Sequence, residues 1–233
     1  MTVTFWDIHD GLPREGPGEP ADIAWALEVA GTPAEARILD AGCGPGADLE
    51  TLAALRPAAT LTGIEAHAPF AAAAQARLGD RATVHTGDMA DPGGPYHLIW
   101  CAGALYFLGV TEGLTAWRGA LAPGGHVAFS EPIWVSADPP EAARAFWAQY
   151  PAITDRDGLD ARIAAAGYRV LGRRLLSPAG WEAYFGPLEA RLDTLRAAGH
   201  GDASAVAEEA REIALWRQAP EAITYALTVV APA

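Results

Sequence analysis

Asp40-Ala41-Gly42-Cys43-Gly44-Pro45-Gly46 is the stretch whose residue types and spacing most directly specify chemistry: an acid ends an apolar run, then three glycines follow at alternate positions. Glycine allows positive φ and leaves no Cβ between main chain and ligand, so the spacing predicts a tight turn that holds something close. A helix starting behind such a turn aims its free N–H groups at the occupant. Gly42-x-Gly44-x-x-Ala47 also satisfies the loose dinucleotide fingerprint. Asp40 argues against a pyrophosphate, because a carboxylate at the strand end repels phosphate and attracts an ammonium or a sulfonium. Two further acids extend the pattern. Glu65 closes a second apolar run, where a carboxylate can accept two hydrogen bonds from ribose hydroxyls. Gly87-Asp88-Met89 follows a third run, offering a carboxylate for an adenine amino group and a thioether for its face.

A general base is required only where an acceptor must lose a proton to react. His9, Tyr106 and Glu131 are the candidates beyond the carboxyl ends of the strands. Cys43 stands at a helix N-terminus, a setting that lowers a thiol's pKa, but with no evident histidine partner it reads most simply as a small residue of the turn.

The elements that must position these groups alternate between strand and helix patterns. Strands are expected at 37–41, 60–65, 82–85, 96–101 and 126–130, with helices at 48–56 and 67–78 between them. Thr111 is a possible cap for a helix carrying Leu114, Trp117 and Leu121, stopped by Pro123-Gly124-Gly125. Such alternation with short loops implies an α/β fold, a parallel sheet with helices on both faces. Ahead of it lie a Pro/Gly-dense stretch at 9–20 and a helix at 21–30. Helices at 139–150 and 157–166 and a sixth strand at 168–176 follow the fifth strand. An insertion of two helical patterns, residues 177–220, precedes a last strand at 222–230. A helical insertion of that length suits a lid or a subunit contact. The aromatic stripes around Phe146, Trp147 and Tyr150 and around Trp181, Tyr184 and Phe185 read mainly as core, with one edge available to a ligand.

Asp40-x-Gly42-x-Gly44-x-Gly46, Glu65, Gly87-Asp88-Met89 and the Leu121-Ala-Pro-Gly-Gly125 turn, taken in order over about residues 36–131, resemble the motifs of class I S-adenosylmethionine-dependent methyltransferases. The resemblance implies a Rossmann-like sheet of seven strands, mostly parallel, with the last antiparallel. It implies S-adenosylmethionine as cofactor, with Asp40, Gly42, Cys43, Gly44 and Gly46 around the methionine part, Glu65 at the ribose, and Asp88 with Met89 at the adenine. Ala66 and Phe70 would lie near the adenosine, and Cys101, Ala102 and Gly103 would close over it. The flanks 8–18 and 184–192 are similar to bacterial stand-alone methyltransferases of small molecules, which makes residues 1–20 an active-site cover. Relatives of that kind often carry an acid near position 102 and an amide near 107; here Ala102 and Phe107 imply a more apolar pocket.

The bulk numbers bound the rest. With 51% hydrophobic and 19% charged residues, the 233-residue chain reads as one globular domain, residues 1–233. A formal charge of −13 disfavours a nucleic-acid partner and suits a small neutral or cationic substrate. No basic, apolar leader opens the chain and no run is long enough to span a bilayer. Two cysteines and six scattered histidines make neither a disulfide framework nor a metal site, so a cytoplasmic, metal-free enzyme, monomeric or homodimeric, is expected. Two alternatives remain: an NAD(P)-dependent oxidoreductase, disfavoured by Asp40, Asp88 and the absence of any lysine, and a cofactor-binding protein whose acceptor site has degraded.

Overall fold

The computed structural model describes residues 3–201 and 203–233. In chain order the elements are α1 (Phe5–His9), α2 (Pro20–Val29), β1 (Arg37–Ala41), α3 (Ala47–Leu55), β2 (Thr60–Glu65), α4 (Ala68–Leu78) and β3 (Ala82–Thr86). There follow β4 (Tyr96–Cys101), α5 (Val110–Trp117), β5 (Leu121–Pro132), α6 (Glu141–Phe146), α7 (Arg156–Ala165) and β6 (Tyr168–Leu175). The chain closes with α8 (Pro178–Leu195), α9 (Ser204–Gln218) and β7 (Tyr225–Pro232). The seven strands form one sheet in the order β3-β2-β1-β4-β5-β7-β6. β7 runs antiparallel to both β5 and β6 and lies between them. The strand order reverses between β1 and β4, which opens a crevice at the carboxyl ends of those two strands, the usual ligand site of open α/β sheets.

Side chains alternate across a strand, so β1 and β4 feed two separate apolar layers. Ile38, Leu98 and Trp100 join one layer, while Leu39, Ile99 and Cys101 join the other. The first layer continues into the helical insertion. Trp181 and Phe185 of α8 pack on Trp216 of α9 at centroid distances of 6.2 and 5.3 Å, and Trp181 reaches Tyr225 of β7 at 5.4 Å. The insertion is thus fixed to the sheet by an aromatic cluster rather than carried as a loose flap, since such rings dominate the energetics of a core.

Two local expectations fail. Thr111 does not cap α5, whose N-cap is Gly109; its hydroxyl donates instead to the Arg162 carbonyl at 3.1 Å. Leu121 belongs to β5, because α5 ends at Trp117 and passes through a 3₁₀ turn at Arg118–Ala120. The Pro-Gly-Gly segment is therefore the opening of a long strand rather than the end of a helix. The N-terminal helix α1 was not legible as periodicity: at five residues it is too short, and it is held by a capping box between Thr4 and Asp7. Among the described residues no helix is long and apolar enough to cross a membrane.

Candidate active site

A cavity of about 930 Å³ opens at the carboxyl ends of β1, β2 and β4. That volume lies toward the top of the roughly 300–1,000 Å³ typical of small-molecule sites. Its floor is the glycine turn between β1 and α3. Gly42 sits at φ +78°, and a Cβ there would lie 2.6 Å from the Ala104 methyl. Substituting Gly42→Ala is expected to cost about 2–4 kcal/mol through the positive φ and the overlap. A denaturant titration showing less than 1 kcal/mol would contradict this. Gly44, at φ +51°, presents its N–H to Glu65 Oε2 at 3.0 Å, and the Glu65 Oε1 accepts the His67 N–H at 2.7 Å. One carboxylate thereby ties the turn after β1 to the turn after β2.

The structure brings Asp40, Gly42, Cys43, Gly44, Glu65, Ala66, Phe70, Asp88, Met89, Ala102, Gly103 and Tyr106 to the cavity wall. Asp40 is 2% exposed and its Oδ2 has no hydrogen-bond partner. Burial, with repulsion from Asp48 and Glu65, raises its pKa well above the usual carboxylate range. Four of the expected site residues, Gly46, Cys101, Glu131 and His9, do not line the cavity. Gly46 is off the wall and serves packing, since a Cβ there would meet the Ala74 methyl of α4 at 2.9 Å. Cys101 is fully buried in the sheet, its side chain in the apolar layer with Leu39 and Ile99. Glu131 is likewise 0% exposed and away from the wall, accepting the Tyr150 hydroxyl at 2.5 Å, with its pKa pushed up to about 7 by burial. Cys43 does not have the lowered pKa open to a helix N-terminus: burial and the neighbouring Asp40 and Glu65 push the thiol up.

His9 is not on the wall but lies directly behind it. Its Nδ1 pairs with Glu15 at 2.6 Å, and its Nε2 stands 3.6 Å from Glu209 of α9. Burial alone would lower its pKa, but these two carboxylates outweigh it and hold the ring at about 9. Tyr106 stays a neutral phenol, its pKa pushed up to about 12 by burial and by the nearby Glu212 and Glu131.

The Pro/Gly segment crosses the cavity as an ordered strap. Arg14 donates to Asp48 at 3.0 Å and to the Gly16 and Gly18 carbonyls. Arg77 of α4 holds the Pro13 carbonyl at 2.9 Å, and Arg191 of α8 holds that of Asp7 at 2.6 Å. At its start, Trp6 stacks on His67 at 3.7 Å and meets Phe70 edge-on at 5.9 Å. Sequence reasoning missed Asp48, Glu15, Glu209, Glu212 and His67, all of which line the cavity. Glu209 and Glu212 are three apart on one helix, a spacing that puts both on the same face, but only the fold shows which face that is.

The groups with raised pKa values set a sign for stability against pH. His9 binds its proton more tightly folded than unfolded, so its contribution is complete below about 6.5 and is lost as pH climbs through about 9. Glu131 retains a proton when folded up to about 7, so ionisation destabilises the fold as pH rises from about 4.5 through 7. Both terms have the same sign, each worth about 1.4 kcal/mol per pH unit per proton held. Without ligand, the thermal midpoint is expected to fall between pH 6 and pH 9; a flat or rising midpoint would refute this assignment.

Known proteins are similar to this chain in sequence over part of its length and in fold over all of it. Residues 38–125 match the family model described as a methyltransferase domain. Over that stretch the chain is similar to methyltransferase domains. Trans-aconitate 2-methyltransferase of Streptomyces avermitilis is 37% identical over 105 residues, 42% of this chain; the match spans 39% of that relative's length. Two solved S-adenosylmethionine-dependent methyltransferases, each in complex with S-adenosylhomocysteine, share the methyltransferase fold over the whole chain. The protein from Geobacter sulfurreducens superposes with a TM-score of 0.83 at 23% identity, covering 100% of this chain and 99% of its own. That from Thiobacillus denitrificans gives 0.84 at 22% identity, covering 100% of both chains. The seven-stranded sheet with its last strand antiparallel agrees with the sequence expectation. The dinucleotide alternative draws no support from these comparisons.

Proposed function

We propose that this chain transfers a methyl group from S-adenosylmethionine to a small-molecule acceptor and releases S-adenosylhomocysteine. Asp40 carries the reading: a buried carboxylate oxygen without a partner faces the cavity beside a turn that no side chain could share. A buried acid in that state calls for a cation, and the amino-acid end of this cofactor supplies an ammonium. The remaining donor set fits as well. Asp40 with the Gly42–Gly44 turn would hold the methionine end, Glu65 the ribose hydroxyls, and Asp88 with Met89 the adenine, with Ala66, Phe70, Ala102 and Gly103 around them. When bound, the cofactor supplies an electrophilic methyl group on a sulfonium. The strap and α9 are suited by their place over the cavity to alignment and exclusion of water. His9, bonded to Glu15, and Tyr106, held neutral, are not free bases, so these two residues contribute positioning.

The same reading makes residues 1–233 one cytoplasmic catalytic unit, monomeric or homodimeric, without a nucleic-acid or membrane partner. Isothermal calorimetry with S-adenosylhomocysteine should give a dissociation constant in the micromolar range, while NADH and NADPH give no thermal shift. Absence of both heat and thermal shift with either form of the cofactor would sink the proposal.

A further inference from the structure

Resting on the methyltransferase reading, we infer that the acceptor is a small amine with an apolar body: its ammonium head seats at Glu212 and Glu209, and its body lies against Tyr106, Phe107 and Tyr184.

The charges on the wall carry the first half. Once Asp40, Glu65 and Asp88 are assigned to the cofactor, Glu15, Asp48, Glu209 and Glu212 remain on the wall. Arg14 is the one arginine on that wall among the described residues, and it is consumed by Asp48 and two carbonyls of the strap. His9 neutralises Glu15 at 2.6 Å. Its Nε2, on a ring only 1% exposed, has no hydrogen-bond partner and faces Glu209 at 3.6 Å, too far for a bond. Glu212 has no hydrogen bond and no ion pair among the described residues, and burial beside Glu209 raises its pKa to about 7. Four carboxylates therefore face one arginine and one imidazolium, each already bonded elsewhere, and Glu209 and Glu212 are left without a positive charge of their own. An ammonium supplies it; a carboxylate or phosphate would enter a field of its own sign.

The apolar half rests on a separate observation. Phe107 lines the cavity yet is 74% exposed, a large ring left without cover at the mouth. Tyr106, whose ring lies 4.4 Å from that of Phe107, and Tyr184 both face the cavity as neutral phenols, because burial raises both pKa values. Neutral aromatic faces next to unpaired acids are how proteins hold organic cations, by cation–π attraction along with the ion pair. Phe107 and Ala102 bring no charge of their own to the wall, which leaves the carboxylates of α9 to provide it.

The chemistry balances. An ammonium has no lone pair, so one N–H bond breaks and its proton passes to a carboxylate of α9, forming O–H. The freed nitrogen pair then forms one N–C bond as one S–C bond breaks, with that electron pair left on sulfur.

Calorimetry on the full chain saturated with S-adenosylhomocysteine tests this directly, using phenethylamine, 2-phenylethanol and trans-aconitate as probes. The amine should bind at least tenfold tighter than the alcohol, and the tricarboxylate should give no heat. Glu212→Gln should lower the affinity for the amine about tenfold and leave that for S-adenosylhomocysteine within twofold; Phe107→Ala should weaken amine and alcohol alike. The inference is overturned if the alcohol or the tricarboxylate binds as well as the amine, if no probe binds, or if Glu212→Gln changes nothing. Selectivity of the unsubstituted chain decides the matter even if a variant fails to fold. Failure to bind S-adenosylhomocysteine in the first place would instead defeat the methyltransferase reading, so the two failures are told apart.

Discussion

Replacing Glu65 by alanine is expected to raise the dissociation constant for S-adenosylhomocysteine by at least about a hundredfold, the largest effect of any single substitution in the cavity. Its two carboxylate oxygens are held by the N–H groups of Gly44 and His67 at 3.0 and 2.7 Å, which fixes the remaining lone pairs for hydroxyl donors. Hydrogen bonds to a charged group are worth about 1.5–3 kcal/mol each, so losing two removes a factor of a hundred or more. The same substitution also frees the turns after β1 and β2 from one another. Glu65→Gln separates these effects, because an amide keeps one acceptor and sets its NH₂ against a backbone N–H; roughly a tenfold loss is expected. Calorimetry finding Glu65→Ala within threefold of the unsubstituted chain would remove Glu65 from the ribose role.

Asp40→Asn is expected to move stability and binding in opposite directions. In the ligand-free chain the Asp40 carboxyl is buried, repelled by Asp48 and Glu65, and left with an oxygen that nothing satisfies. A carboxylate whose pKa is raised on folding destabilises the native state at every pH above its unfolded value, so the neutral amide should relieve that cost. Relief of a buried unsatisfied group is worth about 1–3 kcal/mol, or roughly 2–10 °C of thermal midpoint in a chain of this size. Affinity for the cofactor should fall about ten- to a hundredfold with the lost charge-assisted bond. A lower midpoint without ligand, together with unchanged affinity, would show that Asp40 is structural.

What could be read in the sequence was whatever is local along the chain. Asp40 through Gly46 reveals a turn because each glycine's freedom is a property of one residue, and Glu65 stands out because it ends a strand. The five parallel strands follow from apolar runs of strand length between helical spacings. What could not be read depends on residues far apart meeting. His9 and Glu209 are 200 positions apart and face each other only because α1 packs on α9, which no periodicity encodes. Glu131 illustrates the converse: its place at the end of β5 suggested a residue facing the acceptor, but Tyr150 claims its carboxylate behind the wall. Gly46 and Cys101 sit in the right motifs, yet one makes room for α4 and the other packs in the apolar layer with Leu39 and Ile99. A motif fixes the backbone path; which side of it a cavity opens on is set by packing.

The position of β7 dictates an order of construction. β6 has no neighbour in the sheet other than β7, and β7 is also the outer partner of β5. During synthesis β3, β2, β1, β4 and β5 can pair as they emerge, while β6 must wait some fifty residues, through both helices of the insertion, for the strand that lies between it and the rest. The helix that carries Glu209 and Glu212 packs on α6, α8 and α1, all of which precede it in the chain, so that wall does not depend on β7. A chain that ended at residue 218 would have the strands bearing Asp40 and Glu65 paired while β6 still had no partner in the sheet.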